Sequence, residues 1–161
     1  MREGQPGSFS PLRATWFSYV KPGQTLDFFR PGQEAGLLEG FHELEGQFGN
    51  RYRWIGARAV ARLARVREGN PRLQIRGYCH STAFQRKERP AVRIRVNGSN
   101  AGSGTLHRPG LFVLESDVPG SDAYTVEILA SPVWQAPGED RTFTVNLSMI
   151  RLLPLENPES A

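Results

Sequence analysis

Apolar and polar residues alternate along several segments of the chain, as they do in strands with one buried face. The clearest segments are 72–76, 92–96, 124–130 and 142–149. Successive side chains of a strand point to opposite faces, so a period of two predicts β-strands. Weaker patterns predict further strands at 14–20, 25–29 and 57–66.

The segment 57–66 fits two interpretations. Val60, Leu63 and Val66 recur every three residues, which favours a helix. The segment also follows the aromatic run Tyr52-Arg53-Trp54 and precedes a turn and another strand. We interpret it as a strand.

The apolar members of the clearest strands should point inward and form the core. This predicted core consists of Leu73, Ile75, Val92, Ile94, Val96, Val126, Ile128, Phe143, Val145 and Leu147.

Turn signals separate the strands at a spacing of about ten residues. Asn97-Gly98 is typical of a type I′ hairpin turn, and Pro-Gly pairs stand at 119–120 and 137–138. Helical patterns are scarce. The sequence therefore predicts an all-β fold, a jelly-roll-type antiparallel β-sandwich of about eight strands.

One domain should span 14–153, between a flexible N-terminal segment, 1–13, and a C-terminal tail, 154–161. The stretch 30–50 contains five glycines and predicts a long irregular loop. Long ordered loops on a sandwich carry function or cover an open end.

Composition narrows the classes of function. The 161 residues contain no apolar run that could span a membrane, and the first residues lack the apolar stretch of a secretory signal. Cys79 is the single cysteine, which fits a reducing compartment, so we expect a cytoplasmic protein or a module of a longer chain. The net charge is +4, but 16 acidic residues are mixed with the basic ones, which disfavours nucleic acid as a partner.

One stretch carries a more specific pattern. It consists of Gly40-Phe41-His42-Glu43-Leu44-Glu45, a short gap and Tyr52-Arg53-Trp54-Ile55-Gly56, with Asp140-Arg141 further along the chain. This pattern resembles a module of bacterial glycosyltransferase-associated and polysaccharide-biosynthesis proteins, and the resemblance spans residues 25–153. Phe41 stands where the module usually has Trp. The resemblance implies a carbohydrate-binding-like sandwich.

The resemblance also implies a function, namely glycan recognition or an accessory role beside a glycosyltransferase, with an oligosaccharide or polysaccharide as ligand. Aromatic faces bind sugar rings, and carboxylate, amide and arginine groups bind their hydroxyls. The candidate ligand-binding residues are Phe41, His42, Glu45, Tyr52, Arg53, Trp54, Trp134 and Arg141. The alternative is a structural or protein-interaction domain in which the same motif closes the fold.

Structural roles compete with ligand contact at several of these positions. Glu45 and Arg53 flank a loop, and we expect them to form an ion pair across it. Asp140 and Arg141 should pair to fix their own loop. Trp134 lies between two prolines, where exposure and burial are equally expected.

Catalysis finds little support in the sequence. No nucleophile elbow, phosphate loop or dinucleotide fingerprint is present. Glu43 and Glu45 lie two residues apart, whereas glycosidase carboxyls usually come from separate elements across a cleft. His42, His80 and His107 lack metal-ligand spacing. We therefore expect no enzyme, no metal and no cofactor.

Four arginines could form a basic stripe on one sheet face. They are Arg72, Arg76, Arg93 and Arg95. A solvated face is the favoured interpretation, because no aromatic residues alternate with these arginines as in single-strand binders. An anionic polysaccharide or nucleic acid is the alternative.

Overall fold

The computed structural model describes residues 23–29, 34–47, 49–65 and 70–154. The predicted N-terminal segment, the predicted strand 14–20 and the tail after residue 154 lie outside these residues. Nine strands run through the described part of the chain: β1 Thr25–Asp27, β2 Leu37–Gln47, β3 Asn50–Ala64, β4 Pro71–Cys79, β5 Ala91–Val96, β6 Ser99–Thr105, β7 Gly110–Asp117, β8 Ala123–Ser131 and β9 Asn146–Pro154. Two short 3-10 helices accompany them, at Glu34–Gly36 and Ser81–Gln85.

All strand pairings are antiparallel, in the order β6-β5-β8-β3-β9-β4-β7, with β1 along β9 and β2 along β3. The long strand β3 belongs to two layers. Its first half pairs with β9 at Arg53 and Trp54, and its second half, from Arg58 to Ala64, pairs with β8. The predicted all-β jelly-roll-type sandwich is thus confirmed.

The predicted core is confirmed, because all ten of its residues are buried. Strand β3 adds Ala59, Ala61 and Leu63 to it, each with no exposed surface. These three residues alternate with a period of two, so 57–64 is a strand as we expected. Val66 lies outside the described residues.

Within its described residues, 34–47 and 49–50, the stretch 30–50 is not the irregular loop that we predicted. Most of it forms β2, an eleven-residue strand whose register against β3 shifts three times. Gly40 lies at one of these irregularities with a φ of 85°, and a Cβ there would come within 2.1 Å of the Arg58 carbonyl oxygen. These irregularities remove the simple alternation that identifies a strand.

Strands β6, β7 and β9 also differ from the prediction. Strand β9 begins at Asn146, later than expected, and Phe143 forms an isolated bridge with Trp134. The Asn97-Gly98 turn is confirmed, since both residues have positive φ, at 50° and 84°. Strands β6 and β7, on either side of residues 106–109, were not predicted.

The four arginines do not form one stripe. Arg72 and Arg76 lie on β4, whereas Arg93 and Arg95 lie on β5, and β8, β3 and β9 separate the two strands.

Within the described ranges, no helix has the length and apolar character needed to cross a membrane.

Candidate functional site

A groove of about 250 Å³ lies on the outer face of the layer formed by β3, β9, β4 and β7. One row of register partners crosses these four strands, from Trp54 through Asn146 and Tyr78 to Leu111. The full lining consists of Phe29, Asn50, Arg51, Tyr52, Trp54, Gly77, Tyr78, His80, Leu111, Asn146 and Ser148.

Aromatic side chains form much of the groove wall. The rings of Tyr52 and Trp54 meet edge to face, with centroids 6.3 Å apart. Behind the groove, Trp54 packs edge-on against Trp134 at 5.5 Å and Phe143 at 5.3 Å. These contacts hold the Trp54 ring in place, so the aromatic surface exists before any ligand arrives.

Asn146 supplies an amide to the groove. Only 6% of its surface is exposed, yet its side chain makes no hydrogen bond to any residue in the described part of the chain. The buried side-chain atoms that lack a partner in the described part of the chain belong to Arg51 and Arg53 and not to Asn146, so the Asn146 amide reaches solvent at the groove. The Asn146 amide is therefore available to hydrogen-bond a ligand.

His80 is a hydrogen-bond donor at the groove. Its Nδ1 accepts the backbone N–H of Thr82 at 3.1 Å. In the neutral ring the proton must then be on Nε2, which leaves an N–H donor at the far side of the imidazole. The ring also lies against Trp134, with centroids 6.0 Å apart.

Of the eight candidate residues from the sequence, Tyr52 and Trp54 line the groove. Trp134 does not face solvent, since only 8% of its surface is exposed. Its indole N–H donates to the Thr144 carbonyl at 3.3 Å, and its ring lies 5.1 Å from Phe143. Trp134 therefore supports the groove from behind.

Phe41 and Arg53 face the core side of the sheet. Phe41 packs edge-to-face on Phe28 at 6.2 Å, and the Arg53 guanidinium lies 5.7 Å above the same ring. Arg53 also donates to the His42 carbonyl at 3.0 Å and lies 3.7 Å from Glu34. These contacts give both residues structural roles in the described fold.

The predicted ion pair between Glu45 and Arg53 is wrong. Glu45 is the register partner of Tyr52, so Arg53, one position further along β3, points to the opposite face. Arg141 is the actual partner of Glu45, at 3.7 Å.

The predicted pair between Asp140 and Arg141 is also wrong, because Arg141 donates to Glu139 instead, at 2.9 and 3.0 Å. These hydrogen bonds hold the pKa of Glu139 below its usual range. Next to them, His42 Nε2 lies 2.8 Å from the Thr142 carbonyl, and the His42 ring meets Phe143 edge-on. His42, Glu45 and Arg141 thus brace the loop beside Phe143 rather than line the groove.

Sequence reasoning missed Tyr78, His80, Leu111 and Asn146. Tyr78 lies just beyond the alternating segment 72–76, and Asn146 is a polar member of the predicted strand 142–149. For Tyr78, His80 and Asn146 the polar or aromatic side chain was the available signal, whereas Leu111 offered none. Their convergence depends on strand order, which the pattern along the chain does not contain.

Nucleophilic and metal-binding chemistry gain no support from this arrangement. Burial raises the pKa of the Cys79 thiol to about 11, which keeps it protonated at neutral pH. Among the residues that the structure describes, no group of three His, Cys, Asp or Glu side chains is placed to hold a metal ion.

No protein-family model and no curated protein matches the chain. The insecticidal crystal protein Cry2Aa matches in structure with a TM-score of 0.52 and 12% identity, over 81% of this chain and 21% of that protein. A family 35 carbohydrate-binding module from Clostridium thermocellum gives a TM-score of 0.49 with 14% identity, over 76% and 94% of the two chains. The module CBM6cm-2 of Cellvibrio mixtus lichenase 5A, solved with cellotriose, gives 0.46 with 12% identity, over 82% and 97%. At these identities the similarity concerns the β fold.

Proposed function

We propose that this chain is a non-catalytic glycan-recognition module and that an oligosaccharide or polysaccharide binds in the groove. The single observation that carries the proposal is the row across four strands in which Trp54 and Tyr78 flank the unpaired amide of Asn146.

Aromatic rings beside a free amide match the two kinds of surface that a sugar presents. A pyranose presents apolar C–H faces, which pack on aromatic rings, and hydroxyls, which need hydrogen-bond partners. Tyr52, Trp54 and Tyr78 provide the rings, while Asn146 and His80 provide polar groups. The groove volume is just below the roughly 300–1,000 Å³ of sites for drug-sized ligands, so it suits a short segment of a glycan.

Affinity gel electrophoresis against a panel of plant and bacterial polysaccharides tests the proposal. We expect the wild-type chain to be retarded by at least one polysaccharide. Tyr78→Ala should weaken that binding about tenfold, which corresponds to a loss of about 1.4 kcal/mol from one stacked ring.

Leu38→Ala is the matched control for Tyr78→Ala. Leu38 is an exposed apolar residue on β2, with 53% of its surface exposed, and it does not line the groove. Its substitution should leave retardation unchanged. Retardation by no polysaccharide, or equal loss in both variants, would contradict glycan binding in the groove.

A protein partner is the second candidate, and one observation favours it. Leu111 and Val113 on β7 are 88% and 53% exposed, and β7 pairs with β4 alone among the described strands. An exposed apolar row on an edge strand is typical of protein contact surfaces.

Val113→Asp separates the two candidates, because Val113 lies outside the groove lining. If a protein contact is the function, this change should abolish self-association or partner capture in sedimentation experiments. If the groove binds glycan, the same variant should keep its polysaccharide affinity.

The sequence resemblance adds a partner to the leading proposal, namely a glycosyltransferase beside which the module acts. The motif from Gly40 to Trp54 supports it. Co-purification of the chain with a glycosyltransferase encoded next to it would test this part, and independent purification of the two would count against it.

A further inference from the structure

Two loops at one end of the sandwich concentrate the positive charge of the chain. Residues 80–90 connect β4 to β5, and residues 106–109 connect β6 to β7. Glu88 is the one carboxylate of these loops, against four exposed cations. We call these cations the basic end; they are Arg86, Lys87, Arg89 and Arg108. Together with Glu88 they carry a net charge of +3, whereas the net charge of the whole chain is +4.

Hydrogen bonds hold the two loops of the basic end together. The Leu106 N–H donates to the Pro90 carbonyl at 2.8 Å, directly beyond the ladder between β5 and β6. One residue further along each chain segment, the Arg89 guanidinium donates to the His107 carbonyl at 3.4 Å. The two loops therefore share one scaffold, and their charges have fixed positions relative to each other.

The cations lie close enough to act on the same ligand. Arg86 stands three residues before Arg89, and Arg108 follows His107 directly, so no more than about 11 Å of extended chain separates either from the contact between the loops. The Debye length is about 10 Å at 0.1 M ionic strength, which is a similar distance. The fields of the cations therefore add at this end of the sandwich.

These cations differ from other arginines of the described fold. Arg58, Arg72 and Arg141 each form ion pairs with carboxylates. No cation of the basic end has an ion pair with a carboxylate of the described residues. Their positive charge is therefore not neutralised within the described part of the chain, and it is free to attract a polyanion.

The basic end adjoins the groove. Tyr78 and Leu111 line the groove and are register partners one step from the end of the ladder between β4 and β7. His80 also lines the groove and is the first residue of the loop 80–90, while Arg108 stands three residues before Leu111. A polymer that occupies the groove can thus continue onto the basic end.

We propose that the basic end binds the carboxylates or sulfates of an acidic polysaccharide whose neighbouring rings occupy the groove. This inference rests on the proposed glycan-binding function and specifies the class of glycan. A polysaccharide is favoured over nucleic acid because residues 85–90 and 106–109 contain no Phe, Tyr or Trp on which bases could stack. Carboxylate and sulfate share the required chemistry, so the experiment must distinguish them.

Polysaccharide binding at two salt concentrations tests the proposal. One arm compares polygalacturonate with its fully methyl-esterified form, and the other compares a sulfated galactan with its desulfated form. At about 50 mM NaCl we expect the acidic member of at least one pair to bind at least about tenfold more tightly. At about 200 mM NaCl this preference should shrink, because the release of counterions from the polyanion is then less favourable.

A double substitution locates the preference. Arg86→Gln together with Arg108→Gln removes one cation from each loop, and neither residue lines the groove. The logarithm of the affinity for the acidic polysaccharide should then depend less steeply on the logarithm of the salt concentration, by about one to two units of slope. Affinity for the acidic member at low salt should fall about tenfold, while affinity for its neutral form stays unchanged.

Arg62→Gln together with Arg65→Gln is the matched control. Both arginines are exposed, and they lie near the opposite end of β8 from the basic end. This pair removes the same charge and should leave the acidic preference and its salt dependence unchanged. Thermal melts of both double variants establish that they fold.

The outcomes separate the two proposals. Equal affinity for acidic and neutral members would overturn the acidic ligand while leaving glycan binding in the groove intact. An acidic preference that survives Arg86→Gln with Arg108→Gln, or that falls equally in the control, would overturn the role of the basic end. A DNA duplex that binds more tightly than every acidic polysaccharide at the same salt concentration would overturn it in favour of nucleic acid. No binding to any polysaccharide, acidic or neutral, would overturn both proposals.

Discussion

At the residue scale, the buried thiol of Cys79 makes stability depend on alkaline pH. Only 1% of its surface is exposed, and burial raises its pKa from 9.0 to about 11. Between pH 9 and 11 the unfolded thiol ionises while the folded one keeps its proton, so the free energy of unfolding falls as pH rises. Below pH 9 this contribution is fully present.

We expect the thiol to account for a loss of about 1–2 kcal/mol between pH 8 and 10.5. Urea denaturation at several pH values measures the loss, and Cys79→Ala is the control because it cannot show it. An identical pH dependence in the two proteins would refute the assignment to Cys79.

Tyr124 illustrates a buried polar group with both partners present. Its hydroxyl donates to the Pro119 carbonyl and accepts the Ser121 N–H, each at 3.0 Å, and 1% of the residue is exposed. Tyr124→Phe should lower the free energy of unfolding by about 1–3 kcal/mol, because two backbone groups lose their partner.

Tyr78→Phe is the matched control in the same urea denaturation experiment. The Tyr78 side chain is 37% exposed, and its hydroxyl has no hydrogen bond within the described residues. It should change stability by less than about 0.5 kcal/mol. Comparable losses in the two variants would show that the Tyr124 hydrogen bonds do not stabilise the turn.

Single-residue roles were the least predictable part of the site. The types of residue at Glu45, Arg53 and Arg141 correctly suggested ion pairs, but the partners were wrong. Partner choice depends on which face of the strand each side chain occupies, and the register shifts of β2 decide that face. Sequence distance alone gives no access to it.

At the scale of elements, substitutions at two glycines of the β2–β3 hairpin distinguish the cost of backbone strain from the cost of a steric clash. Gly40 and Gly49 have nearly equal φ values, 85° and 86°. A Cβ at Gly49 would meet no atom within 4 Å, whereas one at Gly40 would meet the Arg58 carbonyl oxygen at 2.1 Å.

Gly49→Ala should therefore destabilise the protein by about 1–2 kcal/mol, the cost of left-handed backbone in an L-residue. Gly40→Ala should cost about 1–3 kcal/mol more, because β2 must also move away from β3. Chemical denaturation measures both. Equal losses would mean that β2 accommodates a methyl group at Gly40.

The success of strand prediction depended on alternation. Strands β4, β5 and β8 alternate regularly and were predicted. Strand β3 was also predicted, although its pattern fits a helix as well. The pattern is ambiguous because small alanines occupy much of the core face of β3. Strand β2 was missed because its irregularities break the period. Strand β6 was missed because glycine and serine dominate it, so it has almost no apolar residues to alternate.

At the scale of the whole molecule, strand order predicts a gradient of local stability. Strands β3, β8 and β9 lie inside the sheet, while β6 and β7 end its order and pair with one neighbour each among the described strands. In native-state hydrogen exchange we expect the slowest amides in β3, β8 and β9, and faster ones in β6 and β7. Equal protection of β7 and β9 would contradict this order.

The fold could be predicted from the sequence to a greater extent than the groove. The all-β sandwich follows from local alternation and turns, which act over a few residues. The groove combines residues 54, 78, 111 and 146, which only the pairing of β3, β9, β4 and β7 brings together. The sequence therefore predicted two aromatic residues of the groove, Tyr52 and Trp54, but not the amide side chain of Asn146.

Strand β3 pairs with β9 in its first half and with β8 in its second half, so it connects the groove to the rest of the sandwich. Ligand binding in the groove should therefore affect the unfolding of the sandwich. Trp54 in the groove and Leu63 in the core lie on one continuous strand, so unfolding of β3 destroys both the groove and the core. A ligand that occupies the folded groove at a hundred times its dissociation constant stabilises the fold by about 2.7 kcal/mol. For a chain of this size that corresponds to a rise in melting temperature of roughly 5–11 °C. A dye-based thermal-shift screen of sugar libraries can thus find the ligand without any assay designed for it.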